Sequence, residues 1–347
     1  MAPSPILITG VGGFVGGHLA RRIAGRGEAA IGVGIEAPPP ETMRVLAGNR
    51  QVDVRDPEAL RTVVAETEPA AIVHLAAQSS GAESFERPVE TFRSNALGTL
   101  ALLEAVRGAA PGARVLVVGT GEVYGPQPEG SRAGEDTAFR PVSPYALSKA
   151  AADAMAETYA RLWSLDVVRT RSFGHVGPGQ TDRFLVPSWA RQIAEIEAGG
   201  RESILRVGNL DVTRDLTDVR DVVEAYLALL ERGQSGAAYN VCRGQGTRLG
   251  DLARSLCGRA RVPIGVEVDP ARVRSADLPY LVGDPSLILR ATGWKAAIPL
   301  ERTLDEVVEE WRNRIATAKS APAPRRGTMT SPRDEFGGGA ARADGGE

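Results

Sequence analysis

Ile6-Leu7-Ile8-Thr9-Gly10-Val11-Gly12-Gly13-Phe14-Val15-Gly16 joins an aliphatic strand-like run, a glycine turn and the apolar start of a helix. Its glycines have the spacing GxxGxxG. Gly10 permits a tight turn, Gly13 lets the backbone approach a pyrophosphate with no Cβ between, and Gly16 lets helix and strand pack closely. The first amides of such a helix lack intrahelical partners and carry the positive end of its dipole, so they bind an anion without a basic side chain. The expectation is a dinucleotide site built on the first strand and helix.

Working outward, apolar runs of strand length (5–9, 30–35, 71–75, 114–118, 166–170) alternate with amphipathic runs of helix length (14–26, 57–66, 91–106, 144–162). The strands are apolar on both faces, as in a parallel sheet covered by helices on each side. The fold class expected is α/β, a doubly wound parallel sheet of the Rossmann type. A smaller, discontinuous C-terminal α/β lobe for the substrate completes it. Helical periodicity resumes over 218–231, with Val219, Val222, Val223, Tyr226 and Leu230 on one side. The chain is therefore divided into a dinucleotide domain (1–170 plus about 218–242), a substrate lobe (about 171–217 and 243–315) and a disordered tail (316–347), which lacks the apolar content to offset ordering.

The 347 residues carry 41 basic and 43 acidic side chains, a net charge of −2, which gives no reason to expect nucleic acid or a membrane surface as partner. Cys242 and Cys257 are too few for a disulfide framework, and His18, His74 and His175 show no metal-ligand spacing, so no metal is expected. No leader-like segment opens the chain, and no run approaches the roughly 20 apolar residues of a membrane span. A cytoplasmic location follows as an expectation.

Glu36 lies 20 residues after Gly16, at the end of the second strand, where a carboxylate accepts from an adenine ribose hydroxyl; this leans to NAD over NADP. Asp53, ending the next apolar segment, is placed to accept from the adenine amino group. Asp56 before Pro57 reads as a helix cap instead.

Ser143-Pro144-Tyr145-Ala146-Leu147-Ser148-Lys149 opens a helix and sets Tyr145 and Lys149 one turn apart on one face. A neighbouring ammonium favours the phenolate and lowers a pKa that otherwise lies near 10, so Tyr145 can exchange a proton with a substrate oxygen. Thr120, in Val118-Gly119-Thr120-Gly121-Glu122-Val123-Tyr124-Gly125, ends an apolar strand on the side where open α/β sheets bind ligands, and its hydroxyl can steady that oxygen.

These motifs, with HLAAQ at 74–78 and Asn95-Ala96-Leu97-Gly98, together resemble the extended short-chain dehydrogenases/reductases over about residues 5–313. The resemblance implies Thr120 as substrate-orienting hydroxyl, Tyr145 as acid/base and Lys149 as its electrostatic and cofactor-ribose partner. It implies an NADP or NAD site formed by Gly10, Gly13, Phe14, Val15 and Gly16, then Glu36, Asp53 and Val54. Leu75, Ala76 and Ala77, with Tyr145, Lys149 and His175, complete that site. It also implies a homodimer joined by a four-helix bundle from the helices near 91–106 and 144–162.

His175-Val176-Gly177-Pro178-Gly179-Gln180 and the run from Val207-Gly208-Asn209 through Arg214-Asp215 are similar to GDP-4-keto-6-deoxy-mannose reductases and their relatives, the GDP-mannose 4,6-dehydratases. The implied substrate is a GDP-linked sugar. Arg183, Arg214 and Arg274 are expected to clamp its pyrophosphate through bidentate hydrogen bonds, with Ser79, Glu122 and Asn209 as further contacts. In related dehydratases a Glu at position 122 removes the C5 proton, and an acidic or hydroxyl residue often precedes it. Gly121 stands there in this chain, so keto reduction is favoured over dehydration or epimerisation. The family's Arg-Pro-Phe-Asn-His reads Arg171-Ser172-Phe173-Gly174-His175, which removes one polar contact. A noncatalytic dinucleotide sensor is a third reading, against which the intact Thr120, Tyr145 and Lys149 argue.

Overall fold

A computed structural model describes residues 4–273 and 277–320. Its central sheet is wholly parallel. It contains β1 (Ile6–Thr9), β2 (Ala30–Gly34), β3 (Gly48–Gln51), β4 (Ala71–His74), β5 (Arg114–Thr120) and β6 (Val167–Ser172). The chain then adds β7 (Gly174–Val176), β8 (Ile204–Val207), β9 (Thr213–Asp218) and β10 (Ala238–Val241), the last of which returns to the edge of the central sheet. The order β10-β6-β5-β4-β1-β2-β3 reverses direction between β1 and β4, which opens a crevice at the strand ends beside the glycine turn.

Helices cover both faces, as the two-sided hydrophobicity requires. Leu19 and Ile23 of helix Phe14–Gly25 pack with Val222 and Tyr226 of helix Val219–Arg232 on one face. On the other, Leu60 and Val64 of helix Pro57–Thr67 meet Leu102, Leu103 and Val106 of helix Gly98–Ala109, with Ala156 of helix Pro144–Trp163. All of these side chains are fully or almost fully buried.

Asp56 caps its helix as its position before Pro57 suggests: its carboxylate accepts from the amides of Glu58 at 3.1 Å and Ala59 at 3.0 Å. Asp56→Ala is expected to cost about 1 kcal/mol of stability, read as a lower urea midpoint with an unchanged slope.

The single helix expected over 91–106 is interrupted. The chain runs as Pro88–Phe92, a π turn at Arg93–Leu97, and then Gly98–Ala109. The widened turn brings Asn95 to the buried side, where it accepts from the Gln78 amide at 2.8 Å and donates to Gln78 O and Ser148 Oγ, each at 3.0 Å. Such bulges often sit beside functional sites. Here the turn ties the end of β4 to the helix carrying Tyr145.

The remaining elements are β11 (Gly246–Arg248), β12 (Gly265–Val268) and β13 (Tyr280–Leu281). β9 pairs with β7, β11 and β13, while β8 pairs with β12. A separate apolar cluster joins helices Leu185–Glu197, Leu249–Cys257 and Leu300–Ser320 through Trp189, Ile193, Leu252, Leu304 and Val308. The last helix continues through Ser320, so regular structure extends past 316, where a disordered tail was expected to begin; residues 321–347 lie outside the described residues. Among the described residues, no helix is long and apolar enough to cross a membrane.

Candidate active site

The crevice is a cleft of about 1350 Å³ that runs from the glycine turn to the second group of sheets. At its start Gly10 has φ +74°, and a Cβ there would lie 2.7 Å from the backbone nitrogen of Ala76. A Cβ on Gly16 would lie 2.6 Å from the carbonyl of Gly10, so both close approaches demand glycine. Gly13 is the residue before the helix and no side chain caps it. The helix amides therefore face a cradle that a Cβ would fill, which fits a dinucleotide pyrophosphate. Phe14, Val15, Leu75, Ala76 and Ala77 line the same end.

The adenosine end differs in part from the expectation. Asp53 and Val54 line the cleft, but the Asp53 carboxylate receives the Arg55 guanidinium at 2.6 to 3.0 Å and the Arg55 amide at 2.9 Å. That hydrogen bonding to Arg55 holds the Asp53 carboxyl below its ordinary range. Gly34 and Ile35 line the cleft, whereas Glu36 is exposed and is not among the lining residues. After β2 the chain runs through a largely exposed, proline-rich stretch to the short helix Pro40–Met43.

His74 serves the framework. Its Nδ1 pairs with Thr9 Oγ1 at 2.8 Å and its Nε2 with Thr99 Oγ1 at 3.1 Å. Burial, with Lys149 adding to it, pulls its pKa down to about 3, so the ring is neutral. Thr9 Oγ1 also accepts from the Ala76 amide at 3.2 Å, which fixes the backbone against Gly10.

Ser143 caps the helix that bears the Tyr/Lys pair, accepting from Ala146 N at 3.1 Å, and Pro144 occupies the first turn. Tyr145 is thereby held at the helix start. Lys149 is 5% exposed and donates to Val118 O at 2.8 Å; burial pulls its pKa down to about 8. Thr120 ends β5, and its hydroxyl accepts from the Glu122 amide at 3.3 Å. Burial first, and then the Glu122 carboxylate, push the Tyr145 phenol above its ordinary value, while its hydrogen bond with Thr120 acts downward. The lowering expected from Lys149 has these two opposing effects to overcome. Thr120, Glu122, Tyr145 and Lys149 all line one cleft.

Glu122 follows Gly121 in a 3-10 turn, Gly121–Tyr124. A Cβ at position 121 would meet the Phe173 ring at 2.8 Å, so no acidic or hydroxyl side chain fits there without displacing that ring.

His175 lines the cleft from the second group of sheets and stacks on Phe14, with centroids 6.2 Å apart and planes at 12°. Burial lowers its pKa, and it pairs with Phe173 O at 3.2 Å. Ser79, Arg183, Asn209 and Arg214 also line the cleft. Arg183 is exposed and lies 3.9 Å from Glu83; Arg214 donates to Thr213 O at 3.0 Å and also to Leu278 O. Arg274 lies outside the described residues, but Arg272 and Asp277 beside it line the cleft. Those two were missed although they flank the arginine singled out by sequence. Gly174 also lines the cleft; a Cβ there would be 2.9 Å from Leu216 and 3.0 Å from Asp215 O, so β7 lies too close to β9 to admit one without a shift. Among the described residues, no group of three His, Cys, Asp or Glu is placed to hold a metal ion.

A doubly wound sheet with a glycine cradle at its switch point, a hydroxyl at a strand end and a phenol and ammonium one turn apart on the helix beside it is the architecture of the extended short-chain dehydrogenases/reductases, and this chain is an enzyme of that class. More narrowly, it belongs to the GDP-mannose 4,6 dehydratase family, whose model matches residues 7–307. It is 36% identical over 311 residues to a GDP-6-deoxy-D-mannose reductase of Pseudomonas aeruginosa, covering 89% of this chain and 98% of that protein. It is 30% identical to a GDP-mannose 4,6-dehydratase of Vibrio cholerae, covering 87% and 92%. Among solved structures, RMD from P. aeruginosa complexed with NADPH superposes with a TM-score of 0.79 at 34% identity, over 90% of this chain and 99% of that one.

Proposed function

We propose that this enzyme reduces the 4-keto group of a GDP-linked 4-keto-6-deoxy sugar with NAD(P)H. The observation that carries reduction over dehydration is Gly121 pressed against Phe173, which leaves no acid before Glu122 and no room for one. Likeness to the P. aeruginosa reductase along almost its whole length supports the substrate class.

The glycine cradle, Phe14, Val15, Asp53, Val54, Leu75, Ala76, Ala77 and His175 would hold the dinucleotide, with Lys149 at its ribose. When bound, the reduced nicotinamide supplies a hydride to the carbonyl carbon. Thr120 orients the carbonyl oxygen, and Tyr145 gives that oxygen its phenolic proton. A phenol whose pKa burial has raised stays protonated until charge develops on the oxygen. The Lys149 ammonium then stabilises the phenolate. Arg183, Arg214 and Arg274 take the diphosphate, with Ser79 and Asn209 as polar neighbours. The separation of the central sheet with its edge strand β10 from the β7–β9 and β8–β12 groups supports a division into about 1–170 plus 218–242 and about 171–217 plus 243–315, although Ile288 and Trp294 pack with the first of these.

The assay is oxidation of NAD(P)H, followed at about 340 nm, with a GDP-4-keto-6-deoxyhexose. Cofactor consumption equal to sugar reduced supports the proposal; no oxidation, with dehydration of GDP-mannose instead, overturns it. The second reading, a 4,6-dehydratase with Glu122 as base, is favoured by the Glu122 charge bearing on Tyr145, and the same assay separates the two.

Lys149 also sets a pH dependence. Its ammonium is lost above about 8 in the folded protein and about 10.5 in the unfolded chain. kcat/KM for the cofactor is therefore expected to fall above pH about 8. Stability contributed by this group changes with the opposite sign: the unfolded chain binds more protons between those values, so stability rises with pH across that window. A pH–rate profile beside urea midpoints at each pH checks both signs.

Exposed Phe92, Leu97, Leu147 and Trp163 on the segments 88–109 and 144–163 support a homodimer joined through those helices. Sedimentation at micromolar protein is expected to give twice the chain mass. Two free cysteines support a reducing, cytoplasmic setting.

A further inference from the structure

Arg171, Asp153 and Tyr124 form a buried cluster set apart from the cleft lining. Asp153 stands eight residues after Tyr145 on the helix face shared with Lys149, about 12 Å along the axis. Its carboxylate receives Arg171 Nε at 3.1 Å and Nη2 at 3.4 Å, and Arg169 Nη1 at 2.5 Å. The far nitrogen of Arg171 reaches the other catalytic segment. Nη1 donates to Tyr124 Oη at 3.1 Å and to Glu135 O at 2.6 Å, and the guanidinium lies 4.6 Å from the Phe139 ring centre. Tyr124 ends the 3-10 turn that follows Thr120 and carries Glu122; its hydroxyl donates to Asn240 Oδ1 at 2.7 Å.

Removing these ions from water is costly, and apolar residues of equal volume often stabilise a core as well. What apolar packing cannot supply is a rigid planar fork that bonds to two separate elements at defined angles. Arg171 is 6% exposed and Asp153 5%, so solvent does not soften the geometry.

We propose that Arg171, braced by Asp153, is a positioning residue that fixes the Thr120/Glu122 turn against the helix carrying Tyr145 and Lys149. It rests on the reading of those four residues as catalytic. Small errors between these segments would misplace the phenol, the hydroxyl and the carboxylate together, and misplacement on the order of 1 Å costs up to about 100-fold in rate.

Tyr124→Phe removes one hydroxyl and keeps the ring; Asp153→Asn keeps the shape and removes the charge. In hydrogen exchange on the full chain, both variants are expected to speed exchange across residues 120–125 by about tenfold, although Asp153 lies on the other element. Each is expected to lower kcat about tenfold with the cofactor KM unchanged, and the double variant to be no worse than the weaker single. Exchange in Asp153→Asn that quickens only in its own helix, or losses that multiply in the double variant, overturns the proposal. Should Asp153→Asn fail to fold, Arg171→Lys, which keeps the charge and loses the fork, takes its place with the same expected and contrary results. Wild-type protein that does not reduce the keto sugar sinks the reductase reading alone, while the exchange result still decides the brace.

Discussion

Tyr145→Phe is expected to lower turnover by about 1000-fold while leaving NAD(P)H affinity within about twofold. The substitution keeps the ring and its packing at the helix start and removes only the proton donor, together with the hydrogen bond to Thr120. Of the neighbouring groups in the cleft, Lys149 is held by Val118 O, Thr120 accepts from the Glu122 amide, and the Tyr226 hydroxyl is paired with Ser172. The check is kcat under saturating sugar beside a fluorescence titration of bound NAD(P)H. Activity within about tenfold of wild type would mean that another group delivers the proton.

Gly10→Ala is expected to weaken dinucleotide binding by about 100-fold. At φ +74° an L side chain is strained by roughly 1–2 kcal/mol, and the new Cβ would meet Ala76 N at 2.7 Å and its Cα at 2.9 Å. Relief requires the turn to move, and the same turn sets the Gly13 amide and the Ala76 and Ala77 backbone that line the cradle. Overpacking of this kind costs a further 1–3 kcal/mol or so, so a lower melting temperature should accompany the lost affinity. Unchanged cofactor affinity would show that the cradle is not the pyrophosphate site.

Local chemistry was the legible part of this chain. The glycine turn, the Asp56 cap, the helix start at Ser143-Pro144 and the four-residue Tyr/Lys spacing are each set within a few residues, and each stands where the sequence places it. β3 was harder to see, because Gly48-Asn49-Arg50-Gln51 is an edge strand with little apolar character. The π turn at Arg93–Leu97 depends on what Asn95 meets across the fold, namely Gln78 and Ser148. Glu36 fits a pattern of spacing along the chain, but it stands exposed at the start of a proline-rich stretch, outside the cleft lining. The Arg171 brace was hidden for a similar reason: its partners lie 18, 36 and 47 residues away, and arginines on a strand give no sign that they are buried. Arginine and aspartate lying inside the core is a property of the assembled sheet.

Keto reduction requires net hydride transfer from an external cofactor to the sugar. Its most direct test is a reaction of the purified enzyme with a GDP-4-keto-6-deoxyhexose and NAD(P)H deuterated at its transferable position, with the product read by mass spectrometry and NMR. One deuterium at C4 of the sugar, matched by one oxidised cofactor, is the predicted result. An unlabelled product, or sugar turnover with no net cofactor oxidation, would contradict net reduction and mean that the hydride is returned to the cofactor within one turnover.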